Sequence, residues 1–133
     1  MSDRPIAPPD AVTAPWWDAT RERRLLVQRC GACGHRQHYP RNICAACGRL
    51  GPSFVEASGR GTIYSFSVVN RAPDPAFDPP YVVALVRLEE GPVLLTNIVG
   101  CEPDAVRCDM PVSVEWEDLP DGRKLPMFTP TGA

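Results

Sequence analysis

The chain has 133 residues, enough for one domain with a modest core or for two small ones. Its 44% hydrophobic and 23% charged residues are ordinary for a globular protein, and its longest apolar run, Tyr81 to Val86, is far too short to span a bilayer as a helix. The net charge of −2 conceals a split: residues 1–60 carry nine Arg against five Asp and Glu, whereas residues 61–133 carry five basic against eleven acidic side chains. An anionic ligand or acidic partner is therefore expected at the first half of the chain, and the second half repels one.

Residues 1–12 are rich in Pro and Ala without an apolar period and read as a flexible tail. The opening MSDRPIAPPD has neither a basic nor an apolar signal region, so a cytoplasmic location is expected. Thr13 has the chemistry of an N-cap, and Pro15 falls in the first turn, where a missing N–H costs nothing. A helix over Ala14 to Arg24 follows, with Arg21, Arg23 and Arg24 where cations suit the helix dipole. Trp16 and Trp17 are adjacent and cannot share one narrow helical stripe. Either one packs inward while the other serves a partner, or both lie beneath the tail and the next segment. Leu25 to Arg29 then reads as a strand that completes the segment 13–29 and delivers Cys30.

Residues 30–53 read as a zinc ribbon. Cys30 and Cys33 with Gly34, and Cys44 and Cys47 with Gly48, form two Cys-x-x-Cys-Gly knuckles separated by ten residues. A tetrahedral zinc ion takes four thiolates, and each short loop turns two of them toward one point. The glycines fit because such knuckles need a residue that enters positive φ cheaply. Four cysteines close the coordination shell, so one structural ion is expected, with no position for a reacting water. Disulfide pairing and redox chemistry are the competing readings; the first needs an oxidising compartment, and the second is normally carried by a single Cys-x-x-Cys in a βαβ setting. His35 and His38 lie inside the ribbon and could replace a sulfur, but nothing requires it, and they are read as surface or outer-layer residues behind the metal ligands. The stretch from His35 to Ile43 reads as a hairpin with Pro40 at an edge or turn.

From Phe54 the pattern changes to strands, and residues 54–133 read as a five-stranded OB-fold barrel. The strands are expected at 62–70, 81–88, 93–99, 111–117 and 124–128, with Tyr64, Phe66 and Val68 on one face of the first. A proline-stiffened loop at 71–80 presents Phe77, and one helical turn is expected within 102–110. The fold class is therefore mainly β: an N-terminal helix and a rubredoxin-like zinc ribbon, then the barrel.

The ordered set of motifs resembles the DUF35 family of zinc-ribbon and OB-fold proteins. It consists of W-W-D at 16–18, L-L-V-Q-R-C-G-A-C-G at 25–34, P-R-N-I-C-A-A-C-G at 40–48, S-G-R-G-T-I-Y-S at 58–65, Y-V-V-A-L-V at 81–86 and M-P-V at 110–112. One departure is Asp109, where the family often has Gly before Met-Pro. The resemblance implies a non-catalytic accessory subunit of a thiolase-superfamily enzyme. Its catalytic partner would be an acyl-CoA acetyltransferase or a thiolase-like aldolase, as in steroid side-chain breakdown, in a hetero-oligomer that shapes an acyl-CoA channel. Candidate contacts to the partner or to acyl-CoA are Trp16, Trp17, Arg24, Arg41 and Phe77, since guanidinium groups pair with phosphates and carboxylates.

Two other functions compete with this one. OB-folds bind single-stranded nucleic acid by stacking bases on aromatics along a positive groove, and Tyr64, Phe66, Tyr81 and Trp116 supply aromatics, but the acidic second half opposes phosphate. Independent catalysis has little support. Cys101 and Cys108 have no histidine after His38 to act as their base, and no nucleophile elbow or phosphate-binding glycine loop is present.

Overall fold

A computed structural model describes Arg4 and residues 6–131, and its first element is the helix α1 (Ala14–Arg21). Thr13 makes no side-chain cap. The Asp10 carboxylate does that work one turn earlier, accepting the N–H groups of Val12 and Thr13 at 2.9 and 2.8 Å. The helix also stops three residues before the expected Arg24. Arg23 enters the left-handed region at φ 57°, Arg24 N–H reaches Ala19 O, and Arg23 N–H reaches Thr20 O. That pair of bonds is a Schellman ending with arginine in the position glycine usually holds.

Three short strands build the ribbon sheet in the order β2-β1-β3: β1 (Leu26–Arg29), β2 (Arg36–Gln37) and β3 (Ser53–Glu56). The hairpin expected over His35 to Ile43 is not there. The first knuckle is itself the turn, so the hairpin is β1 with β2, and residues 38–43 form a loop leading to a bridge between Ile43 and Leu50. Phe54, where the strand pattern starts, belongs to β3 and pairs with Gln28 of β1.

The barrel strands are β4 (Arg60–Val69), β5 (Tyr81–Leu88), β6 (Val93–Ile98), β7 (Pro111–Asp118) and β8 (Lys124–Pro130), closed in the order β4-β5-β6-β8-β7. The ring closes where β4 meets β7 at Arg60–Thr62 and where β6 and β8 meet in parallel at Ile98 and Phe128. β5 alternates cleanly, with Val82, Ala84, Val86 and Leu88 buried. β4 does not, because its register against β5 shifts between Ile63 and Ser65. This bulge corrects the expected face: Ile63 is buried with Phe66 and Val68 packed against the core, while Tyr64 turns outward, 53% exposed, beneath the Arg87 guanidinium. The helical turn within 102–110 is a single 3-10 turn at Pro103–Ala105.

One buried cluster runs from Trp16 of α1 through Leu26 and Val27 of β1 to Ile63, Val112 and Phe128 of the barrel, so helix, ribbon and barrel share a core. Of the tail expected at 1–12, residues 1–3 and 5 lie outside the described residues. Arg4 pairs with Glu117 at 3.0 Å, and Ala7 O accepts from the Arg123 guanidinium, which places the described part against the barrel. No helix among the described residues is long and apolar enough to cross a membrane.

Candidate metal centre and the adjoining cavity

The two knuckles have the same backbone. Gly34 N–H donates to Cys30 O and Gly48 N–H to Cys44 O, both at 2.9 Å, and the glycines sit at φ 76° and 78°. Cys30 N–H and Cys44 N–H close each loop on His35 O and Arg49 O. A side chain at either glycine position would meet the steric penalty of left-handed backbone.

All four cysteines are free thiols, and their sulfurs lie within 4.8 Å of one another. Cys30 to Cys47 and Cys33 to Cys44 are 3.6 Å apart across the knuckles. Four sulfurs about 2.3 Å from a tetrahedral centre are separated by about 3.8 Å, so the set fits a four-coordinate ion. The backbone also favours thiolate. N–H groups of Cys33 and Ala32 hold the Cys30 thiol down to about 6, and those of Cys47 and Ala46 lower Cys44 in the same way. At Cys33 the His35 N–H acts in the lowering direction, but burial and the neighbouring sulfurs push the thiol up to about 11. Such crowded sulfurs share protons until an ion replaces them.

Two buried amides support this centre, and sequence reading missed them. Gln28 and Gln37 face each other across β1 and β2, 3% and 7% exposed. Gln37 Nε2 donates to Gln28 Oε1 at 2.8 Å and to Ile43 O at 3.0 Å, while its Oε1 accepts from Ala45 N–H at 2.9 Å. Gln28 holds both backbone groups of Arg41: its Oε1 accepts the N–H at 2.8 Å, and its Nε2 donates to the carbonyl at 2.9 Å. The loop between the knuckles is thereby tied to the sheet immediately before Cys44. The sequence signal was slight: Gln28 follows the apolar run Leu25-Leu26-Val27 within the strand that leads to Cys30.

The expected contact residues divide into two sets. Trp16, Trp17 and Phe77 come together on a cavity of about 480 Å³ bounded by α1, the loop after β2 and the barrel strands β5, β6 and β8. Trp16 is buried with its Nε1–H on Leu26 O at 3.0 Å; Trp17 is half-buried, with the Arg123 guanidinium over its ring. Arg24 and Arg41 lie apart from the cavity lining. Arg24 is paired with Glu56 at 3.0 Å, an exposed pair of small energetic weight. Arg41 is exposed and is held through its backbone by Gln28.

His38 corrects the expectation of a surface or outer-layer residue. It lines the same cavity with its ring 5.7 Å from that of Trp16, and burial lowers its basicity to about 4. Its Nδ1 is buried and has no hydrogen-bond partner among the described residues.

The geometry agrees with what comparison to known proteins returns. Residues 17–53 match the family model of the ChsH2 rubredoxin-like zinc ribbon domain, and residues 54–117 that of the ChsH2 C-terminal OB-fold domain. A protein of Thermomonospora curvata named probable enoyl-CoA hydratase alpha subunit is 45% identical over 115 residues, covering 86% of this chain. The chain spans only 36% of that relative's length. A DUF35 domain-containing scaffold protein of Methanocaldococcus jannaschii is 37% identical over 113 residues, covering 80% of each chain. A solved structure described as the Ltp2-ChsH2(DUF35) aldolase superposes with a TM-score of 0.86 and 43% identity, over 97% of this chain and 100% of the other. With both domain models matched in order and a relative covered over its whole length, the chain belongs to the DUF35 family of zinc-ribbon and OB-fold proteins.

Proposed function

We propose that the chain is a non-catalytic accessory subunit of a multi-subunit enzyme acting on coenzyme A thioesters, with a thiolase-superfamily chain as its catalytic partner. The observation that carries this reading is the end-to-end match to a chain of the Ltp2-ChsH2(DUF35) aldolase, whose description names two components. The scaffold name of the archaeal relative and the hydratase alpha-subunit name of the bacterial one support the same role. The narrower version is a thiolase-like aldolase of steroid side-chain breakdown, and the aldolase description supports it over an acetyltransferase.

The site chemistry supports a structural part for the metal. We take the ion to be zinc, held by Cys30, Cys33, Cys44 and Cys47, and four thiolates leave no coordination position for a reacting water. The ion supplies folding free energy to a sheet whose three strands are only four, two and four residues long. Trp17, Arg24, Arg41 and Phe77 are the side chains assigned to partner or acyl-CoA contact, with Trp16 beneath Trp17 as its support.

The test is affinity purification of the tagged chain from its own cells, followed by identification and counting of what elutes with it. A thiolase-like chain in fixed ratio, resistant to nuclease, supports the reading. Elution alone, or with ribosomal or nucleic-acid components only, overturns it.

A further inference from the structure

We propose that the cavity between α1, the loop after β2 and the barrel is a binding site for the uncharged, apolar body of a small organic ligand. Its volume of about 480 Å³ is in the range of small-molecule sites. Two aromatic pairs wall it. Trp17 stands edge-on to Trp16 with centroids 4.8 Å apart, and Phe77 stacks on Tyr81 at 5.5 Å. Leu94 and Met127 of the barrel contribute the floor.

Charge decides what can enter. Arg4, the cation in the lining, is paired with Glu117 at 3.0 Å and bonded to Asn97 Oδ1 at 2.7 Å, and its guanidinium lies over Phe77. Arg123, behind Trp17, is paired with Asp121 at 2.6 Å. His38 is neutral at physiological pH because burial disfavours its cation. A phosphate or carboxylate brought inside would lose its hydration without gaining an unpaired cation among the described lining residues, so a charged head group stays outside. At the mouth, Tyr39 and Leu95 remain 59% and 57% exposed, two large apolar groups that a bound hydrocarbon would cover.

Two sources present this chemistry: the acyl part of a coenzyme A thioester, as the accessory-subunit reading would provide, and a free neutral lipid. The inference itself rests on the cavity and not on that reading.

The test uses the purified full chain and N-phenylnaphthylamine, an uncharged apolar fluorophore that accepts energy from tryptophan. Saturable energy transfer is expected, displaced by octanoyl-coenzyme A or by octanol and not by coenzyme A alone. Displacement by the thioester assigns the site to acyl groups, and displacement by octanol only assigns it to free lipid. Leu95→Asp and Tyr39→Asp, both at exposed positions that tolerate polarity, weaken binding by about tenfold each, whereas Tyr64→Asp, equally exposed elsewhere on the barrel, leaves it unchanged. No saturable transfer, competition by coenzyme A alone, or equal binding by all three variants overturns the inference. The two proposals fail separately. A chain that binds the fluorophore yet purifies alone retains this site and loses the partner, and a chain with a partner but no fluorophore binding does the reverse.

Discussion

The amide network behind the knuckles gives the sharpest quantitative expectation. Gln28→Met keeps the length and volume of a side chain that is 3% exposed but deletes both polar atoms, so little of its effect comes from a cavity. Three hydrogen bonds vanish: Gln28 to Arg41 O at 2.9 Å, Arg41 N–H to Gln28 at 2.8 Å, and Gln37 to Gln28 at 2.8 Å. At about 1 kcal/mol net for each, the loop before Cys44 loses about 3 kcal/mol of its attachment to the sheet. Folding of a ribbon this small is coupled to metal binding, so the loss reads out as zinc affinity, about a hundredfold weaker at fixed pH. Competition against a chromophoric chelator measures it. An affinity within about threefold of the unaltered chain would show that the two glutamines fill space without organising the metal loop.

His38 and Asp109 supply two further tests. Burial holds His38 near 4, against 6.5 for the free side chain, so the unfolded chain binds its proton first as pH falls. The stability of the neutral ring is therefore complete above about pH 6.5 and is lost as pH falls toward 4. Between about pH 7.5 and 5.5, urea unfolding should show the unaltered chain losing about 1.4 kcal/mol more than His38→Gln; parallel pH profiles would contradict the assigned burial. Asp109 stands at φ 65°, its N–H on Ile63 O at 2.7 Å. Relief of left-handed strain in Asp109→Gly should stabilise the chain by about 0.5–1 kcal/mol in the same assay, net of the greater freedom of glycine when unfolded, and destabilisation would refute the strain argument.

Much of the architecture was legible because its signals are local. The two Cys-x-x-Cys-Gly knuckles announce their sulfurs and their positive φ, and the alternation of Val82, Ala84, Val86 and Leu88 announces a half-buried strand. The departure at Asp109 left the turn before β7 uncertain in the sequence, and the structure resolves it as a non-glycine residue at φ 65°. What escaped was decided by contacts between distant segments. The bulge that turns Tyr64 outward depends on β5, and the pairing of Gln28 with Gln37 depends on the first knuckle acting as a hairpin turn. The early end of α1 was hidden because Arg23 adopts a backbone that glycine normally advertises. The cavity was half legible: Trp16, Trp17 and Phe77 stood out as aromatics, but their convergence with His38 requires helix, ribbon and barrel to be folded together.

The most direct measurement of the central claim is turnover of a coenzyme A thioester by three preparations: this chain alone, its catalytic partner alone, and the two recombined. An accessory subunit predicts no turnover from the chain alone, weak or unstable turnover from the partner, and full turnover only from the pair, lost again when Cys44→Ser removes a metal ligand. Turnover by the isolated chain, or partner activity indifferent to its addition, would contradict the account.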